Sequence, residues 1–110
     1  MSPAPGDRLQ GTLDLLILRT LAAEPMHGWG ISQRLLLLSR DLFQVNQGSL
    51  YPALRRLEDR GWIAAAWGVT PHNRRARYYR ITPAGRRQLK LERRSWDAFA
   101  GAVARVLEEA

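Results

Sequence analysis

The chain contains no cysteine. That absence removes disulfides, thiolate metal sites and cysteine nucleophiles together, and it suits a reducing compartment. Histidine is nearly as scarce. His27 and His72 are the only two and lie far apart in sequence, so no metal site is indicated. The chain also lacks a phosphate-binding glycine loop and an HExxH pair. Asp, Glu and His are nowhere dense enough for general acid–base work, and Ser49 has no visible base. No enzyme can be assembled from these residues, and neither a cofactor nor a metal is called for. Long apolar runs are missing too: the stretches at 13–18 and 35–38 fall far short of a bilayer span. The opening MSPAPGDR carries no basic-then-apolar leader pattern. A cytoplasmic protein without a membrane partner is expected.

Acidic residues are scarce in one place. Residues 1–73 hold seven Arg against six acids, whereas residues 74–94 hold nine basic residues against Glu92 alone. The net charge of +7 therefore comes from one concentrated segment. Such a segment attracts nucleic acid or anionic lipid through its long-range field and counterion release; a solvated helix face is the plainer alternative. Apolar residues make up 45% and charged residues 25%, proportions of a folded globular chain. At 110 residues the chain suits one compact domain with an added element, and its core is small enough that oligomerisation would help.

From Gln10 to Ala23, Leu13, Ile17 and Leu21 line one helical face, widened by Leu16 and Leu18. Glu24-Pro25 ends that helix, because the residue before a proline is pushed out of helical geometry. Met26-His27-Gly28 reads as a tight connection, with His27 a turn or cap residue. Ile31, Leu35 and Leu38 then mark a second helix. A third begins within Asn46–Ser49 and runs through Arg60 on Leu50, Leu54 and Leu57. Pro52 is best tolerated in a first turn, which favours Gly48 or Ser49 as the cap; a start capped by Asn46 would need a distorted first turn. After Gly61 the period changes to two. Residues 62–67 and 76–82 alternate as strands around a turn-rich loop, GVTPHNR, and make a hairpin. Thr82 as N-cap and Pro83 at the first helical position open a last helix that nothing interrupts down to Ala110. Its residues Leu89, Trp96, Phe99, Val103 and Val106 fit alternating spacings of three and four, a coiled-coil seam interrupted by Glu92. At about 40 Å such a helix exceeds what a small domain can cover.

The fold expected is mainly α with a small β-hairpin: a winged helix-turn-helix plus a long C-terminal dimerisation helix. Its divisions are a flexible lead at 1–8, a winged-helix domain at 9–81 and the dimerisation helix at 82–110. In this arrangement the third helix enters a major groove. That explains why its front is crowded with small and hydrogen-bonding residues while its rear is apolar. Asn46, Gln47, Gly48, Ser49, Tyr51 and Pro52 are the candidate DNA contacts, the alternative being a turn that merely starts a helix. Arg55 and Arg56 follow one turn on as phosphate clamps, unless Arg55 simply pairs with Asp59. Arg74, Arg75 and Arg77 belong to the wing and suit a narrow minor groove, with His72 and Asn73 at the tip. Tyr78, Tyr79, Trp62 and Trp67 are read as wing packing, since a bare hairpin is marginal alone.

The segments HGWGI (27–31), GSLYPALRRLEDRGWI (48–63) and RRARYYRITPAGRRQL (74–89) closely resemble the PadR family of bacterial transcriptional regulators, in register over roughly residues 9–95. The single helix after the wing resembles the short-chain subgroup. The resemblance implies a homodimeric repressor binding double-stranded DNA at a palindromic operator, its interface formed by swapped C-terminal helices. It also includes drug-responsive members with an aromatic-lined opening at the dimer centre, which makes Trp96 and Phe99 candidate holders of a flat, apolar or cationic effector. The alternative is that these rings only fill the interface. Two departures stand out. Trp29 occupies a position where tyrosine is frequent, and Ala64-Ala65-Ala66 is less polar than the corresponding strand of the family.

Overall fold

The computed structural model describes residues 5–109. The first helix, α1 (Pro5–Ala23), starts five residues before Gln10. The lead expected at 1–8 is therefore helical from residue 5, and its first four residues lie outside the described residues, as does Ala110. Then come β1 (Met26–His27), α2 (Gly28–Leu38), α3 (Gln47–Asp59), β2 (Ile63–Val69), β3 (Arg75–Ile81) and α4 (Pro83–Glu109).

The core collects one face of each early helix: Ile17, Leu18 and Leu21 from α1, Ile31 and Leu35 from α2, and Leu50, Leu54 and Leu57 from α3. Ile63, Tyr79 and Ile81 close it from the sheet. Leu38 departs from the expected pattern and is 64% exposed. The helix ends there, and its last turn overhangs the core before Arg40 and Asp41 reverse the chain at positive φ.

The hairpin is part of a three-stranded antiparallel sheet in the order β1-β3-β2. The connection expected at Met26–His27 is itself a strand, pairing with Tyr79 and Tyr78. Its extended backbone serves a second purpose, because His27 Nδ1 accepts a hydrogen bond from Gly30 N at 3.0 Å and caps α2. Hairpin register sets Ile63 opposite Ile81, Ala65 opposite Tyr79, and Trp67 opposite Arg77. The wing tip is ordered: Thr70 N and O bond Arg74 and Asn73, and Asn73 adopts φ +60°.

Thr82 caps α4 as its sequence demands. Its hydroxyl accepts from Gly85 N at 3.1 Å and donates to the Gly61 carbonyl at 2.6 Å. Beyond this junction the helix runs along α1 before it projects past the domain, and of its described residues Gly85 alone is buried. Leu89, expected on the dimer seam, instead packs against the chain's own core. Farther along the expected seam, Trp96, Phe99, Val103 and Val106 are all exposed.

Candidate nucleic-acid interface

Helix α3 presents the front that the sequence suggested, from an earlier start. Asn46, not Gly48 or Ser49, is the cap: its Oδ1 accepts from Ser49 N at 2.9 Å, while its carbonyl accepts from Leu50 N at 3.0 Å. A side-chain oxygen that satisfies an orphan N–H offsets part of the cost of a proline inside the helix. That cost is limited here because Pro52 is exposed and its missing N–H forfeits one bond, to the Gly48 carbonyl. Gln47, Gly48, Ser49 and Tyr51 are likewise exposed, above a helix whose opposite face is fully buried. Tyr51 is steadied from α2. Its hydroxyl end lies over Gly28, where a Cβ would approach within 3.0 Å.

The arginines behind this front divide into two kinds. Arg55 is exposed and lies 3.8 Å from Asp59, an open pair that solvent weakens. Arg56, expected beside it as a phosphate clamp, turns inward and bonds Asp14 of α1. The physical reason is Asp14 itself. It is a buried carboxylate in an apolar helix face, and burial pushes its pKa above the ordinary 3.8 despite the opposing guanidinium. Such a group requires a partner, so Arg56 is engaged in joining α3 to α1.

The wing shows the same division. Arg74 and Arg75 are exposed. Arg77 Nη2 donates to Glu58 Oε2 at 2.6 Å, which ties the wing to the end of α3. Trp67, read from sequence as wing packing, is 65% exposed, and the Arg75 guanidinium sits 4.8 Å from its ring centroid. Tyr79 and Trp62 do pack on the core, whereas Tyr78 is half-buried with its edge against His27 at 5.3 Å.

Between wing and α3 runs an open cleft. Tyr51 and Trp29 form one side, Trp67 and the three wing arginines the other, and among the described residues no acid lines it. The structure thus brings Tyr51 together with Arg74, Arg75 and Arg77. Asn46, Gln47 and Ser49 stand at the exposed start of the same helix, and Arg56 lies outside the group. Trp29 and Trp67 are the residues that sequence reasoning left out of this surface. Midway along α4, the ring centroids of Trp96 and Phe99 lie 5.9 Å apart and form an aromatic step on its exposed stripe.

The model of the Transcriptional regulator PadR-like family matches residues 17–91. Transcriptional regulator Rv3488 of Mycobacterium tuberculosis is 39% identical over 89 residues, covering 81% of this chain and 79% of its own length. Among solved structures, a transcriptional regulator from Clostridium thermocellum superposes with TM-score 0.81 at 29% identity, covering 90% of this chain and 96% of the other. A PadR family transcriptional regulator from Eggerthella lenta gives 0.78 at 31% identity, covering 94% and 88%.

Proposed function

The chain belongs to the PadR-like family of DNA-binding transcriptional regulators, and we propose that it is a cytoplasmic homodimeric repressor of a pseudo-palindromic operator. The observation that carries this reading is the polar, exposed first turn of α3, held against a fully buried rear face and flanked by an arginine-bearing wing. Gln47, Ser49 and Tyr51 read base edges in the major groove, since helix N-termini deliver such contacts in this class of fold. Asn46 offers its amide group, its oxygen being engaged in the cap. Arg55, Arg74 and Arg75 supply cationic grip on phosphates and the neighbouring minor groove. Arg56 and Arg77 hold the reading helix and the wing in place. Two copies joined through α4 fix the spacing of two readers, which places the half-sites roughly one helical turn apart or a multiple of it.

Two substitutions test the assignment. Gln47→Ala is expected to relax discrimination between operator and mismatched duplexes by about 1–3 kcal/mol. Arg74→Ala is expected to weaken every duplex alike and to lower the salt slope of binding by about one. Equal losses on all sequences from both variants would contradict base reading by α3.

The seam residues Trp96 and Phe99 extend the reading to regulation. In a dimer two such pairs approach across the axis and offer aromatic faces to a flat, apolar or cationic effector. Its binding there would tilt the helices, change the reader spacing and cost operator affinity. Trp96→Ala should abolish the release of operator by any such compound; an intact response in a titration of the bound complex would remove Trp96 from the mechanism.

A further inference from the structure

Trp67 lies on the face of the hairpin that builds the core. Its strand neighbours on that face, Ile63 and Ala65, stand opposite Ile81 and Tyr79, and Ile63, Tyr79 and Ile81 are buried. Two residues further the wing has overrun the core, and the same face looks across the cleft. Trp67 there is 65% exposed and Val69 62%. Trp29 from α2 and Tyr51 from α3, 62% and 48% exposed, stand across from it. Three large rings from three elements, left in water around one cleft, form an apolar surface awaiting a partner.

The charge of the cleft specifies that partner. Arg74, Arg75 and Arg77 share its walls with the rings. Arg75 does not reach away from the wing but sits over the indole, its guanidinium carbon 4.8 Å from the ring centroid, a diagonal cross-strand contact that orients the cation. The wing is stiff enough to hold this pair. On the opposite face Gly68 makes room for the ring of Tyr78, whose hydroxyl reaches the Val69 carbonyl at 3.4 Å. An occupant must therefore be anionic and carry apolar walls between its charges. A duplex groove meets both requirements, with phosphates at its edges and deoxyribose along its sides.

We infer that Trp67 is a DNA-contact residue of the wing, its indole packing on the sugar wall of the groove that Arg75 enters. This rests on the DNA-binding reading above and adds an apolar contact to what would otherwise be a purely cationic wing. Its signature differs from that of an arginine. Burying an indole releases no counterion, so its loss weakens binding without changing the salt dependence.

The test compares the full-length wild type with Trp67→Ala, Trp67→Phe and Arg75→Ala on a duplex from the chain's own upstream region. Anisotropy is followed across a range of salt, with thermal unfolding of each variant alongside. Trp67→Ala is expected to weaken binding on the order of tenfold at unchanged salt slope and unchanged unfolding temperature. Trp67→Phe should keep most of the affinity, and Arg75→Ala should lower the slope by about one. Wild-type affinity in Trp67→Ala overturns the proposal. A loss accompanied by a slope lowered by one overturns it too, because Trp67 would then act only by placing Arg75. A loss that tracks a fall in unfolding temperature, shared by Trp67→Phe, likewise reduces the residue to wing packing. If the wild type itself binds no duplex, the DNA reading fails first and removes the premise; that result is distinct from all the others.

Discussion

Val103→Glu is expected to leave the protein folded but monomeric and to weaken operator binding on the order of 10²–10⁴-fold, the gain that linking two readers supplies. Val103 sits in the exposed stripe of α4 with Phe99, Val106 and Leu107, well beyond the junction where the helix meets its own domain. A carboxylate there meets water in the single chain and costs that chain little. In a dimer the same carboxylate is buried twice, without a partner, against an apolar seam. Sedimentation should show a monomer while circular dichroism keeps its helical signal. A dimer that survives this substitution would place the interface elsewhere.

Gly85→Ala is expected to have the largest effect on stability. Gly85 is the buried second contact of α4 with the sheet, where an added Cβ would run into the Trp62 carbonyl and come within 2.8 Å of Ile81. The obstacle is backbone, so no rotamer change relieves it, and the helix must lift from the wing. Overpacking of this kind costs about 3 kcal/mol at its upper range, against a helix-propensity gain of at most about 1. A net loss near 2 kcal/mol lowers the unfolding temperature of a domain this size by roughly 8–16 °C. Thermal unfolding checks it directly. An unchanged midpoint would mean that the junction yields freely, and the fixed spacing between readers would lose its physical basis.

Most of the fold was legible because its signals are local. The faces of α1 and α3 follow helical spacing, the hairpin follows period two, and Thr82-Pro83 starts α4 by cap chemistry alone. What escaped depends on contacts across the chain. Asp14 resembles any polar residue in an amphipathic helix until Arg56, forty-two positions later, is seen to need it. A lone Asp inside the run LDLLIL was the one available hint. Met26–His27 is too short for any periodicity, and its strand character comes from pairing with Tyr78 and Tyr79. Leu38 and Leu89 each fit a repeat but fall where a helix respectively leaves and meets the core. Trp67 is the instructive case. Alternation marked its strand and its ring was read as packing, but alternation does not say where the core ends along a strand, and Trp67 lies past that end. The candidate site was visible at Gln47, Ser49 and the wing arginines, whereas the division between reaching and anchoring arginines was not, since the two kinds look identical in sequence.

Base reading by α3 is tested most directly by binding of the full chain to a labelled duplex from its own upstream region, titrated with salt in an excess of random-sequence competitor. Tight binding that survives the competitor and falls steeply with salt is the expected result, because base contacts by α3 and cationic grip by the wing act together. Binding that stays salt-dependent but is abolished by the competitor, on that duplex and on neighbouring upstream regions alike, would contradict it: the arginines would then hold backbone alone, and the front of α3 would read nothing.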